Sequence, residues 1–137
     1  MATRHTLMVL ALTLSACAAQ GASAEPESLT CSVSDTRFKF RDVSCALPAS
    51  PAARTYRFRA LFSGGHDDSE LSLLPVVPGN GPLACDAGSK PESRGEYGNI
   101  HVDCVVSAGP LAEGEKSFSV KVVWSHAVFR GVEMIRE

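Results

Sequence analysis

The chain has 137 residues, and 13 Lys and Arg against 15 Asp and Glu give it a formal net charge of −2 at pH 7. This weak negative balance argues against general affinity for nucleic acid or for anionic lipid surfaces. The length allows one domain, and beyond residue 24 no apolar run approaches the roughly 20 residues of a membrane-spanning helix.

The first 24 residues have the three parts of a secretory signal peptide. Arg4 supplies the positive start, and residues 7–16 (LMVLALTLSA) form an apolar run about half as long as a membrane-spanning helix. Small residues at 22–24 (ASA) match a cleavage site that would begin the mature chain at Glu25. The sequence therefore predicts an exported protein, with residues 1–24 as signal peptide and tether region and 25–137 as a single domain.

A second cleavage site competes with the first. Residues 14–17 (LSAC) are similar to a bacterial lipobox, which implies cleavage before Cys17 and acylation of its sulfur. Lipidation is favoured because Cys17 is the odd member of five cysteines and because residues 18–28 are small and polar, as in a flexible tether. The alternative is that Cys17 is removed with the leader. We expect a periplasmic protein or an outer-membrane lipoprotein held by acyl chains, with secretion as the alternative.

The mature chain is dominated by segments in which apolar and polar residues alternate with a period of two, which is typical of half-buried antiparallel strands. The predicted strands are 29–33, 36–41, 55–62, 70–77, 100–106, 118–125 and 127–136, the last with a bulge at Gly131. Turn residues separate them, and no long stretch has the 3.6-residue period of an amphipathic helix. This pattern predicts an all-β fold, a small immunoglobulin-like antiparallel β-sandwich of roughly seven to nine strands, with a small β-barrel as the alternative.

The four cysteines after the leader, Cys31, Cys45, Cys85 and Cys104, form an even set, which in an exported chain predicts two disulfides. We favour the pairs Cys31–Cys45 and Cys85–Cys104, because each closes a short loop across a polar segment and would stabilise the fold by roughly 3 kcal/mol. The alternative is one long bridge such as Cys31–Cys104 with Trp124 packed on it. The order of these residues along the chain does not fit that immunoglobulin arrangement.

Cationic side chains occupy the polar face of two predicted strands. Arg37, Lys39 and Arg41 alternate along one strand, and Arg57 and Arg59 alternate along the other. If the two strands are neighbours, their charges form one basic patch on a mildly acidic protein. Such a patch predicts binding to an acidic envelope protein, to lipopolysaccharide phosphates or to another anionic surface. The alternative is that the charges keep the protein soluble and protect the sheet edges.

A loop between two predicted strands concentrates potential metal ligands. His66, Asp67 and Asp68 are consecutive, and divalent cations prefer several oxygen ligands. His101 and Asp103 are two apart on a predicted strand, so both point to one face, as in a metal site or an imidazole–carboxylate pair. Convergence of the two groups would make a metal site. The alternatives are a solvated turn and an ordinary polar sheet face, because neither spacing matches an EF-hand or fixes a third zinc ligand.

Motifs of catalysis are absent from the sequence. It contains no G-x-S-x-G, no H-E-x-x-H, no glycine-rich phosphate loop and no C-x-x-C. We therefore expect neither an enzyme nor a cofactor. The sequence predicts a binding module of the bacterial envelope, such as an inhibitor, an immunity factor or an adaptor, that uses the basic strand face. A metal-binding protein or metal-dependent hydrolase at the His66 loop is one alternative, and a structural component of the envelope is another.

Overall fold

The computed structural model describes residues 28–34, 39–77, 79, 81–112 and 116–137. The predicted leader with Cys17, and Arg37 of the first cationic row, lie outside the described residues. The described part of the chain contains nine β-strands and no helix, so the all-β prediction is confirmed. In particular, none of these residues forms a helix of the length and hydropathy that a membrane span requires.

The strands follow the apolar–polar alternation of the sequence. They are β1 (Ser28–Leu29), β2 (Cys31–Val33), β3 (Phe40–Ala46), β4 (Arg54–Gly65), β5 (Glu70–Leu74), β6 (Glu92–Arg94), β7 (Gly98–Ala108), β8 (Ser117–Ser125) and β9 (Val128–Arg136). Two strands differ from the prediction. β3 runs from Phe40 to Ala46, whereas a strand was expected at 36–41, and β6 lies where a turn was expected. Its three residues (ESR) carry no apolar alternation by which a strand could be recognised.

The strands form two antiparallel sheets that face each other. Sheet A has the order β1-β9-β4-β7, and sheet B has the order β2-β3-β8-β5-β6. The sandwich prediction is confirmed. Apart from the short edge strand β2, the strands follow the order of a jelly roll, in which two Greek keys build a two-sheet sandwich. This order differs from that of an immunoglobulin domain, because β8 and β9 lie in different sheets, whereas the last two immunoglobulin strands are neighbours in one sheet.

The core lies between the sheets and is built from alternate residues of the long strands. In β4, Tyr56, Phe58, Ala60 and Phe62 are all buried, as the period of two requires. Phe58 packs against Phe118 of β8, with ring centroids 5.3 Å apart. Because burial of one such ring stabilises a fold by about 1.5–3 kcal/mol, the aromatic side of β4 contributes much of the energy that holds the sheets together.

Two disulfides join segments that are neighbours in space. Cys31 of β2 lies directly opposite Cys45 of β3, and their Cα atoms are 4.0 Å apart. Cys85, in the segment between β5 and β6, is bonded to Cys104 of β7, with Cα atoms 5.3 Å apart. The predicted pairing is therefore confirmed. Two disulfides are typical of a protein that folds in an oxidising compartment, which agrees with export.

The connections between strands divide between the two ends of the sandwich. One end, which we call the loop end, carries the turns of residues 66–69, 95–97 and 126–127, which join β4 to β5, β6 to β7 and β8 to β9. The opposite end holds Ser28 and Glu137, because β1 pairs with the C-terminal part of β9. A protein tethered through residues that precede Ser28 would thus present its loop end away from the attachment.

Candidate binding site

The predicted cationic row of β3 is divided by the fold. Lys39 is exposed just before the strand, but Arg41 shares a face of β3 with the buried Val43. The guanidinium carbon of Arg41 lies 5.4 Å from the ring centroid of Trp124 and 5.9 Å from that of Phe129. Arg41 therefore covers the aromatic end of the core through cation–π contacts, and its charge is engaged within the fold.

The cationic row of β4 is engaged by carboxylates of the neighbouring strands. Arg57 Nη1 lies 3.2 Å from Asp103 Oδ1. Arg57 Nε donates to Glu137, and this hydrogen bond raises the pKa of Arg57. Arg59 Nη1 lies 3.3 Å from Glu133 Oε1. Because β3 and β4 belong to different sheets, the adjacency that the basic-patch hypothesis required is not found. Partner binding by the individual cations stays a prediction.

Asp103 is a buried carboxylate at the centre of this network. Its side chain is only 6 % exposed, and Oδ1 accepts the backbone N–H of Lys90 at 2.9 Å. Its Oδ2 lies 3.6 Å from His101 Nε2. A buried carboxylate is stable only when hydrogen bonds and cations compensate its lost hydration. Asp103 therefore anchors the segment around Lys90 to the outer face of sheet A.

The predicted metal ligands lie in two separate places. His66, Asp67 and Asp68 are exposed at the loop end, whereas His101 and Asp103 lie on the outer face of sheet A. Among the described residues, no group of three or more His, Cys, Asp or Glu side chains is close enough to hold a metal ion. The convergence that a metal-dependent hydrolase would need is therefore not found in this part of the chain.

Hydrogen bonds tie two turns of the loop end together. The buried Ser69 hydroxyl lies 2.8 Å from the carbonyl oxygen of His66 and 3.1 Å from that of Glu96. The backbone N–H of Gly95 donates to the carbonyl of Ser69 at 2.9 Å. The β4–β5 and β6–β7 turns therefore form one unit around a buried, satisfied hydroxyl.

The third turn of the loop end is joined to this unit by His126. Its Nδ1 lies 3.4 Å from Asp68 Oδ2 in the β4–β5 turn. His126 has a φ of 52°, a left-handed backbone conformation that is uncommon for a residue other than glycine. Such conformations cluster at turns and functional sites, where surrounding contacts hold them in place. The Asp68 contact is one contact of this kind.

The loop end presents a large aromatic side chain to solvent. Tyr97 is 70 % exposed, and its ring and the His66 ring are in an edge-to-face arrangement with centroids 6.4 Å apart. Beside it, Lys90 donates to Glu96, and this hydrogen bond lowers the pKa of the Glu96 carboxyl. Aromatic side chains are enriched at the centres of protein interfaces, where polar groups form the rim. The loop end has both an exposed aromatic ring, that of Tyr97, and polar groups beside it.

A second candidate surface lies on the outer face of sheet A next to the loop end. It is a shallow depression of about 420 Å³, which we call the Arg130 depression. Its lining includes Leu61, Ser63, Asn99, His101 and Arg130. Leu61 pairs with Gly131 and Phe62 pairs with Phe129, so Arg130 is the extra residue of a β-bulge in β9. The bulge predicted in this strand is thereby confirmed, with Arg130 rather than Gly131 as its unpaired residue.

Comparison with protein-family models, with curated proteins and with solved structures gives no match. Function is therefore inferred from the geometry of the loop end and of the Arg130 depression. Tyr97 and Arg130, the central residues of these two surfaces, were not among the site residues predicted from the sequence. The available signals were an aromatic residue, Tyr97, placed between Gly95 and Gly98, and an arginine directly before the predicted bulge.

Proposed function

We propose that the protein is a non-enzymatic binding module of the bacterial envelope that recognises another protein through its loop end. The observation that supports this most directly is the exposure of Tyr97 on turns that are held together by the buried Ser69 hydroxyl. A tyrosine has few rotatable bonds, so a ring held in this way gains contact area on binding at a low cost in conformational entropy.

The surroundings of Tyr97 support a protein partner. His66 meets the Tyr97 ring, and the exposed side chains of Asp68 and His126 supply further hydrogen-bond donors and acceptors on the same end of the sandwich. Protein interfaces commonly place such polar groups around an aromatic anchor, where they exclude water and fix the orientation of the partner. Because hydrogen bonds join two of the three turns and the His126–Asp68 contact joins the third to them, little ordering of this surface would be needed on binding.

The arrangement of the two ends supports a tethered module in the periplasm or at the outer membrane. Ser28 lies at the end opposite the loop end, next to the C-terminal part of β9. A lipid on Cys17, joined through the residues before Ser28, would place the loop end outermost. Between the two ends runs β4, whose 12 residues correspond to about 40 Å of extended strand. The inhibitor, immunity-factor and adaptor roles all require such an accessible recognition surface.

Site-specific photo-crosslinking in cells that export the protein tests this proposal. A photoreactive residue in place of Tyr97 should give one discrete crosslinked protein, because the ring would be buried against the partner. The same residue in place of Val77, which is 60 % exposed after the far end of β5, is the matched control and should give none. Tyr97→Ala should lower the affinity for the crosslinked protein by about tenfold or more.

Two results would contradict the proposal. Equal crosslinking from positions 77 and 97 would show that contact is not specific to the loop end. Unchanged affinity of the Tyr97→Ala protein, with unchanged thermal stability, would show that the ring is not an anchor.

A further inference from the structure

The guanidinium of Arg130 is oriented by the protein itself. Its Nε donates to Ser63 Oγ at 2.6 Å. This bond fixes the plane of the guanidinium and leaves the edge formed by the two terminal nitrogens for another acceptor. Arg57 and Arg59 on the same sheet face are engaged by carboxylates, but no carboxylate of the described residues forms an ion pair with Arg130.

The β-bulge that places Arg130 also keeps the surface beside it open. Gly131 lies opposite Leu61 in the pairing of β9 with β4, and its φ is 145°. A Cβ atom added at Gly131 would meet nothing within 4 Å. The glycine therefore leaves space on the outer face next to Leu61. Bulges commonly re-aim a side chain next to a functional site, and here the re-aimed side chain is a cation.

The remaining polar lining of the depression is also well placed. Asn99 contributes an exposed amide, which can donate two hydrogen bonds. The imidazole of His101 is held beside the buried Asp103, with Nε2 3.6 Å from Oδ2. Leu61 supplies an apolar wall. Donors from β7 and β9 therefore meet, with Leu61 and Ser63 of β4 between them, at one shallow site on three neighbouring strands.

We propose that the Arg130 depression binds a carboxylate group. The two terminal nitrogens of an oriented guanidinium match the two oxygens of a planar carboxylate, which gives a bidentate, charge-assisted contact. The charge also fits: the lining contributes one guanidinium, which balances a monoanion. A phosphate dianion would carry a second negative charge that this one guanidinium does not balance. The carboxylate belongs either to a small organic acid or to an acidic side chain of a protein.

This inference concerns the face of sheet A and does not require that Tyr97 bind a partner. It is tested by titrating the purified, disulfide-bonded protein with sodium acetate, with the capped tripeptide acetyl-Ala-Asp-Ala-amide and with inorganic phosphate. Binding is followed by the ¹H–¹⁵N shifts of the Arg130 Nε–H group and of the Asn99 side-chain amide. We expect both carboxylate probes to shift these signals in a saturable manner.

Arg130→Gln should weaken acetate binding by about tenfold or more, because it removes the charge and the bidentate edge. Arg94→Gln is the matched control and should change the affinity by less than about twofold. Arg94 is a 79 % exposed arginine on β6 of sheet B, and its Nη1 lies 3.8 Å from Glu70. Ser63→Ala should weaken acetate binding by a smaller factor, because it frees the guanidinium without removing it.

Each outcome decides for or against the proposal. Tighter binding of the tripeptide than of acetate assigns the site to an acidic side chain of a protein, and equal binding assigns it to a small organic acid. Tighter binding of phosphate than of either carboxylate probe overturns the proposal. Shifts that persist in the Arg130→Gln protein, or that are absent in the unmodified protein, also overturn it.

Discussion

The outer face of sheet A has two halves that use arginine in opposite ways. In the half nearer the termini, which we call the paired half, Arg57 and Arg59 meet the carboxylates of Asp103, Glu133 and Glu137. The other half, the open half, is the Arg130 depression, where the guanidinium donates to a serine hydroxyl. The comparison shows that cross-strand neighbours, rather than the number of cations in a strand, decide whether an arginine is available to a ligand.

The two halves also differ in how much structure covers them. The segment that leads to β6 lies along the paired half. There the backbone N–H of Asp103 donates to the Lys90 carbonyl, the backbone N–H of Lys90 donates to Asp103 Oδ1, and the backbone N–H of Val105 donates to Ser89 Oγ. No comparable segment of the described residues covers Arg130, which is exposed. Substitutions in the paired half should therefore change stability, whereas substitutions in the open half should change binding.

The largest expected effect comes from removing the disulfide that holds the covering segment. Replacement of Cys85 and Cys104 by Ala should lower the free energy of unfolding by about 3 kcal/mol in the chain-entropy model. Urea denaturation under non-reducing conditions measures this loss. The backbone amides of Asp103 and Val105 should also exchange faster with solvent, since their acceptors lie in the released segment.

The matched control for this experiment is replacement of Cys31 and Cys45 by Ala. That bridge closes a loop of similar length, with a sequence separation of 14 against 19, and should contribute a similar stabilisation. It joins β2 to β3 in sheet B and should leave exchange at Asp103 and Val105 unchanged. Faster exchange at these two amides in both variants would show that the covering of the paired half does not depend on the Cys85–Cys104 bridge.

A smaller effect is expected from neutralising the buried carboxylate of the paired half. Asp103→Asn keeps an oxygen acceptor for the Lys90 N–H but leaves Arg57 without this counter-charge. We expect a loss of about 2 kcal/mol in the free energy of unfolding, measured by urea denaturation. Glu133→Gln is the control: its ion pair with Arg59 is partly exposed, so its loss should be below about 1 kcal/mol. Equal losses of unfolding free energy in the two variants would contradict the expectation that the buried carboxylate contributes more than the partly exposed one.

Features that depend on local pattern were predictable from the sequence. The alternation of apolar and polar residues identified the long strands. Successive side chains of a strand point to opposite faces of the sheet, so every second residue lies on the same side. The alternation correctly placed Tyr56, Phe58 and Phe62 in the core. The disulfide pairing was also predictable, because each pair is close in sequence and the segment between them can turn back on itself.

Features that depend on distant parts of the chain were not predictable in this way. The strand order is set by which edges meet in space, and a jelly roll and an immunoglobulin sandwich have similar alternation. Arg41 was expected on the polar face because it follows the Phe38–Phe40 alternation. The burial of Val43 and Cys45 instead sets the phase of β3 and turns Arg41 towards Trp124. The partners of Arg57 come from β7 and the C-terminal residue, which no local pattern relates to β4.

The smallest effect that we predict is a pH dependence at the junction between the paired half and the loop end. Lys90 hydrogen-bonds the carboxylate of Asp103 through its backbone and the carboxylate of Glu96, next to Tyr97, through its side chain. The Lys90 side chain lowers the pKa of Glu96 below its ordinary value of 4.5. The ionised Glu96 carboxylate therefore stabilises the fold in full above the pKa that Glu96 has in the unfolded chain. This stabilisation is lost as the pH falls through the pKa that Glu96 has in the folded protein.

Glu96→Gln should remove this part of the pH dependence. Urea denaturation of the two proteins between about pH 7 and pH 3 should show that the unmodified protein loses its advantage over the variant on the acidic side of pH 4.5. The Lys90 and Glu96 side chains are 39 % and 41 % exposed, so solvent screening should keep the difference below about 1 kcal/mol. Parallel pH profiles would mean that Glu96 is not bound to Lys90 in solution.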